Sequence, residues 1–340
     1  MSVTLKHVAK RAGLSWQTVS KVLNDKGHLF RPETRQRVID AAREMGYVPN
    51  AAARTMRSKK TLQIGLLLRN EEGHRYHNLA AFILLLGINT RLEQNGYLLS
   101  VVRMGDLACT GDAKSRVFEE RVLDGLIVFG GFSPDVFDWV HSVIPNCIWA
   151  DTNKWDEYCC LHRDEQQVGR LIAKHILDLG YRRAVWTGGR VDKHSHYSQA
   201  DRYFGLKDEL ARHGIELESI SSLKRDDNRL IYPELAQHFQ PDRVLVAYNT
   251  LGAQAILTTG TSMGKSVGWD YGLMCCDETP EVFESWPGLS RVSNDRFEMG
   301  YQAAEMMLQL LDNPAQRPVS RKMGNEWIIG NTAWGPHTAR

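Results

Sequence analysis

Residues 13–25 read GLSWQTVSKVLND. Val19, Val22 and Leu23 recur at the spacing of one helix face, and Trp16, Gln17, Ser20, Lys21 and Asn24 are read as the outer face. Ser15 stands at the N-cap position, where a hydroxyl can accept from a backbone N–H that the first turn leaves unpaired. Upstream, Thr4 is placed to cap a helix over Leu5 to Arg11, with Leu5, Val8 and Ala9 inward. Ala12 and Gly13 break it, Gly13 supplying the permissive backbone of a tight turn. Two short helices joined in this way predict a helix-turn-helix. A third helix begins at Pro32, carries Val38, Ile39, Ala42 and Met45 as its apolar stripe, and stops at Gly46. In such a motif the second helix offers its first residues to base edges in the major groove. Gln17 can pair bidentately with adenine, Lys21 can donate to guanine or phosphate, and Trp16 can meet a thymine methyl or the sugar-phosphate backbone. On these residues alone, a polar helix face turned to water is the alternative.

The charge pattern bears on that choice. Residues 1–60 hold 13 Lys or Arg against 4 Asp or Glu, and the remainder holds 29 against 36, although the whole chain is only +2. A basic head on a slightly acidic body fits nucleic-acid binding at one end. A solvated basic tail would lack the ordered apolar spacing just described.

At 340 residues the chain is long enough for two or three domains. It is 43% apolar and 24% charged, with no run that would span a bilayer and no secretory signal at its start, so a cytoplasmic protein is expected. Cys109, Cys147, Cys159, Cys160, Cys275 and Cys276 form no CxxC pair and are read as reduced core residues.

The run TLKHVAKRAGLSWQTVSKVLN, followed by RPETRQRVIDAAREMGYVPNAAARTMRSKKT, resembles the head of the LacI/GalR family of bacterial repressors. The shared pattern is T-L-x-x-V-A-x-x-A-G-x-S, then T-V-S-x-V-L-N, E-T-R-x-R-V and G-Y-x-P-N. Arg31 departs from it, since the family often has a small capping residue there. The resemblance implies DNA contacts from Thr4, Ser15, Trp16, Gln17, Ser20, Lys21, Asn24 and Asn50. It also makes residues 51–60 a hinge helix that folds when two copies pair in the minor groove. Ala53 would give close approach there, and Met56 would be the apolar wedge, where the family usually has Leu. Such a wedge kinks the duplex and reads deformability. Arg54, Arg57, Lys59 and Lys60 would face phosphates and make binding salt-dependent.

From Leu62 on, short apolar runs (LQIGLLL, YLLSVVR, LDGLIVF, RRAVWTG, DRVLVAY, YGLMCC) alternate with helical patterns, which specifies parallel sheets covered on both faces. The fold class expected is a small all-α helix-turn-helix head plus an α/β two-lobed body. The resemblance makes that body periplasmic-binding-protein-like, with three crossings between lobes near residues 162, 292 and 320. The domain reading is 1–48 head, 49–60 hinge and 61–340 effector-binding and dimerisation body. Its N-lobe takes in about 61–162 and 293–320, and its C-lobe about 163–292 and 321–340.

Carried over from the family, Arg202 in R-x-x-G-L and Asp277 in C-D-E-T match effector contacts, with Asp151 and Tyr248 as further candidates. Arg forks and carboxylates suit vicinal hydroxyls. Tyr248-Asn249 replaces the family's Asn-Asp, and the loop KHSHY (193–197) with Arg190 adds cationic groups that raise an anionic effector as an option. GTSMGKS at 260–266 has three residues between its glycines where a phosphate loop needs four, and is read as a helix-to-strand connection. The reading is a sequence-specific transcriptional regulator, a repressor. It would bind a palindromic double-stranded operator as a homodimer under control of a small-molecule effector. No enzyme activity, cofactor, metal or membrane partner is expected. The weighed alternatives are a sugar-metabolism enzyme and a solute-binding protein with a basic extension, and neither accounts for the head.

Overall fold

The structure, a computed structural model, describes residues 3–23, 27–48, 60–69, 79–104, 116–120, 122–220, 224–226, 229–231, 234–278 and 288–336. It comprises two units, Met1–Thr61 and Leu62–Arg340.

In the first unit, α1 (Leu5–Ala12), α2 (Trp16–Lys21) and α3 (Pro32–Glu44) enclose Val8, Val19 and Val38, all fully buried. Gly13 at φ 64° turns the chain so that the Leu14 N–H reaches the Ala9 carbonyl at 3.0 Å. The Ser15 hydroxyl accepts from the Thr18 N–H at 3.1 Å and so starts α2. Arg31 gives α3 no side-chain cap, as its departure from the family pattern implies, and Pro32 occupies the first turn instead.

The second unit carries two six-stranded sheets. The first is ordered β13-β5-β4-β3-β1-β2, with β1 (Gln63–Arg69), β2 (Leu98–Met104), β3 (Gly125–Phe129), β4 (Cys147–Ala150), β5 (Cys160–Arg163) and β13 (Arg321–Met323). The second is β14-β12-β11-β10-β6-β7, from β6 (Arg183–Trp186), β7 (Leu217–Ser219), β10 (Arg243–Ala247), β11 (Gly272–Cys275), β12 (Ser290–Ser293) and β14 (Glu326–Ile328). Every pairing in the two is parallel except β12 with β14. A separate hairpin joins β8 (Lys224–Asp226) to β9 (Arg229–Ile231). Helices on both faces explain why β3 and β4 read as unbroken apolar runs: each is buried along its whole length.

Helices α4 (Leu79–Glu93), α5 (Arg116–Glu119) and α6 (Pro134–Val143) belong to the N-lobe; α7 (Glu165–Asp178), α8 (Tyr197–Arg212) and α9 (Thr250–Ser262) belong to the C-lobe. The last helix, α10 (Arg296–Asp312), returns to pack on α4 and the N-lobe strands. The crossings therefore follow Arg163, Ser293 and Met323. The sequence reading of 162, 292 and 320 is corrected by one to three residues. The largest shift has a simple cause, because β13 is the polar edge strand Arg321-Lys322-Met323 and carries no apolar signal.

Among the described helices each lobe has one intimate pair, α4 with α10 and α7 with α8. Gly87 lies against the Phe297 carbonyl and Gly300 against that of Leu84; Gly169 lies against the Arg202 carbonyl and Gly205 against that of Gln166. Both crossing helices are capped by Asp, with Asp164 accepting from Gln167 N–H (3.0 Å) and Asp295 from Glu298 N–H (2.8 Å). The five described cysteines, Cys147, Cys159, Cys160, Cys275 and Cys276, are free and buried. Residues 260–266 are the end of α9 and its turn. Among the described residues no helix is long and apolar enough to cross a membrane.

The backbone contact at Gly300 gives a test. Ala in a helix is ordinarily more stable than Gly by about 0.5–1 kcal/mol. Here the methyl group would land on the backbone of α4, so Gly300→Ala is expected to lower the urea midpoint by the equivalent of about 1–3 kcal/mol. A midpoint that holds or rises would contradict the close packing.

Candidate functional site

On the head, capping by Ser15 directs the first turn of α2 outward. Trp16 is 52% exposed, and Thr4, Ser15, Gln17 and Lys21 are exposed with it. Ser20 is a correction: it was read on the outer face and is buried at 6% exposure. At 100° per residue it lies roughly 60° from Leu23 around the axis, close enough to the inward stripe for a small side chain to be covered. Asn24, Asn50, Ala53, Arg54, Met56, Arg57 and Lys59 lie outside the described residues.

In the body, Asp151, Arg202, Tyr248 and Asp277 do come together. Asp151 follows β4, Tyr248 follows β10, Asp277 lies just past β11, and Arg202 is on α8. Asp151, Tyr248 and Asp277 are thus beyond the carboxyl ends of parallel strands, where open α/β sheets bind ligands. Sequence reasoning missed the partners that hold them. Arg163 at the end of β5 reaches Asp151 at 2.8 Å and Glu165 at 2.9 Å through Nη2. Arg202 donates from Nε to Glu165 at 2.5 Å and from Nη2 at 2.9 Å, and its Nη1 lies 3.6 Å from Asp277. Arg296, at the start of α10, donates to Asp277 at 2.8 Å. The result is an alternating chain, Asp151–Arg163–Glu165–Arg202–Asp277–Arg296, running past two of the three crossings with every member buried.

Arg202 is held by partners within the chain. Its guanidinium is 1% exposed, committed to Glu165 and to the Tyr248 carbonyl (Nη1, 2.7 Å), and lies 5.0 Å from the Tyr248 ring centroid. Burial alone would raise Asp151; Arg163 outweighs it, with help from His196, Tyr197 and Arg296, and holds the carboxyl well below its usual range. Asp277 is likewise pushed up by burial and brought well below by Arg296, Arg202 and Arg163. Tyr248 donates to or accepts from Ser198 at 2.8 Å, and Asn249 caps α9 through the Gly252 N–H at 2.9 Å. Of the loop 193–197, His196 and Tyr197 reach Asp151, whereas Arg190, Lys193 and His194 are exposed, and burial pushes His196 down. The one signal that could have found Arg163, Glu165 and Arg296 is a charge placed at each crossing, beside the capping aspartates Asp164 and Asp295.

Two polar atoms near this chain are buried without a hydrogen-bond partner, Arg163 Nη1 and Asn294 Oδ1. Asn294 uses its amide N–H to bond Asp277 at 3.1 Å. One donor and one acceptor, both closed off from solvent, are thus left over beside the chain, and a hydroxyl group can serve either.

Residues 4–50 match the family described as bacterial regulatory proteins, lacI family, and residues 173–333 match a periplasmic binding protein-like domain. The chain is 25% identical over 318 residues to catabolite control protein A of Staphylococcus xylosus, covering 92% of this chain and 93% of that protein. It is 26% identical over 310 residues to the ribose operon repressor of Bacillus subtilis (strain 168), covering 91% of each. A crystal structure of the Lac repressor dimer bound to operator and the anti-inducer ONPF superposes with a TM-score of 0.74 at 22% identity, over 98% of this chain and 99% of that one.

Removing the central carboxylate of the chain should be costly, because Arg163 and Arg202 would then share an uncompensated interior. Glu165→Gln is expected to lower the unfolding free energy by about 3–5 kcal/mol, read by urea denaturation; a loss within the scatter of surface substitutions would contradict the linkage. His162 gives a pH test. Burial pushes it down to about 4, so it stays neutral in the folded body while the unfolded chain takes up a proton below its ordinary value near 6.5. Its contribution is complete above about pH 6.5 and is lost as pH falls toward about 4. In His162→Gln the slope of stability over that window is expected to flatten; an unchanged slope would count against it.

Proposed function

We propose that this chain, which belongs to the LacI/GalR family of bacterial regulatory proteins, is a sequence-specific transcriptional repressor whose hold on DNA is set by a small molecule in the body's cleft. The observation that carries the reading is the capped helix α2, which keeps Trp16, Gln17 and Lys21 exposed on a basic head. A domain of this size buries little surface on its own, and two heads on a palindromic operator double the contacts. The Lac repressor is a dimer on its operator, and we read this chain as a homodimer too. The relatives named above are regulators, and we extend that to a non-catalytic role here, in the cytoplasm at the nucleoid.

For the effector, the alternating chain favours an uncharged sugar or sugar derivative. A sugar acid or phosphate would have to win a guanidinium from Asp151, Glu165 or Asp277, whereas hydroxyls can use the leftover Arg163 Nη1 and Asn294 Oδ1. To move the lobes from one arrangement to the other, the ligand must favour one of them; a shift from 1:99 to 99:1 takes about 5.5 kcal/mol of differential binding.

Genome-wide selection of bound DNA, followed by anisotropy titration of the recovered site, tests the reading. Gln17→Ala is expected to weaken the selected site by about 1–3 kcal/mol and leave random duplex nearly unchanged. An equal loss on both would remove base reading from Gln17, and no DNA binding at low salt would remove the proposal.

A further inference from the structure

The two lobes are tied together at the cleft by side chains from the start of α8. The Tyr197 hydroxyl donates to Asp151 Oδ1 at 2.5 Å and accepts from the Arg163 backbone N–H at 3.2 Å. Its ring stacks on His162, centroids 4.2 Å apart and planes 20° from parallel. The Tyr197 N–H donates to Asn153 Oδ1 at 2.8 Å, Asn153 Nδ2 donates to the Ser195 carbonyl at 3.2 Å, and His196 Nε2 lies 3.0 Å from the Asp151 carbonyl. Asp151, Asn153, His162 and Arg163 belong to the N-lobe, and residues 195–197 to the C-lobe. Asp151 itself sits at φ 54°, a left-handed backbone at the residue that takes both the phenol and the imidazole.

Polar contacts between lobes of one chain are ordinary. Tyr197 makes a particular pair of them, a hydroxyl-to-carboxylate hydrogen bond together with a flat face on an aromatic ring, the contacts by which a protein also grips a hydroxylated ring. The acceptor it uses is Asp151, one of the carboxylates of the buried ion chain.

We propose that Tyr197 is an internal occupant of the effector cleft: it latches the lobes closed in the ligand-free protein, and a ligand enters by replacing the Tyr197 hydroxyl at Asp151. The idea rests on the cleft's being the effector site. A latch of this kind makes the effector compete with the protein's own phenol, so only a ligand that brings a hydroxyl to Asp151 is admitted. It also lowers apparent affinity by the fraction of molecules that are latched.

The closure is tested on the full chain without ligand or DNA, by small-angle X-ray scattering and amide hydrogen exchange. Wild type is expected to scatter as the closed body and to protect the Tyr197 amide. Tyr197→Ala should scatter as a more extended body and lose protection at that amide, with β10 and β11 still protected as proof of folding. Tyr197→Phe, which keeps the stack and loses the hydroxyl, should fall between them. Closed scattering from a folded Tyr197→Ala, or open scattering from wild type, overturns the latch. A second arm titrates ribose, glucose, galactose and fructose into each variant by calorimetry. A sugar that binds Tyr197→Phe at least several-fold tighter than wild type supports displacement, and equal or weaker binding overturns it. If none of the four binds any variant, the effector reading of the cleft fails and displacement with it, while the scattering result still decides whether Tyr197 closes the lobes.

Discussion

The body depends on charge balance in a buried place. Asp151, Arg163, Glu165, Arg202, Asp277 and Arg296 alternate in sign from the end of β4, past the first crossing, through α8 and the end of β11, to the start of α10. Each ion is costly to bury alone, and each is tolerated because its neighbours have the opposite sign. The arrangement fixes where the strand ends of the two lobes meet, and it leaves the cleft with no unbalanced charge within this chain of six. The same constraint accounts for the depressed carboxyls of Asp151 and Asp277, where the guanidiniums overcome burial.

The helices beside that chain are set by glycine. The crossing helices α7 and α10 each start at a capping Asp and carry Gly five residues later, at Gly169 and Gly300. Their partners α8 and α4 each have Gly as the ninth residue, Gly205 and Gly87. Each glycine faces a carbonyl of the other helix, so the two lobes repeat one packing solution. The close approach of α7 to α8 brings Glu165 within reach of Arg202, and thus links helix packing to the chemistry of the cleft.

Some of the site was legible from residue order. Asp151, Tyr248 and Asp277 stand just beyond apolar runs, and a polar residue at the carboxyl end of a parallel strand points to the ligand edge. Arg202 was located on the correct helix, but its partner was not, because Glu165 is 37 residues away in sequence and reads as an ordinary first-turn acid. Ser20 shows the same limit on a smaller scale: helical spacing gives an angle around the axis, and the neighbouring helices decide whether a small side chain at the margin is covered.

By itself the sequence determined the helix-turn-helix, its basic charge, the Ser15 cap and the alternation that specifies a two-lobed α/β body. Those features are local or periodic, and they depend on hydrogen bonds and apolar faces that repeat within a few residues. Only the tertiary structure decided where the chain crosses, which ions pair, and that Tyr197 reaches from one lobe to Asp151 in the other. Those outcomes depend on groups brought together from distant segments, and the charge or hydroxyl of a residue carries no record of the partner that will neutralise or accept it.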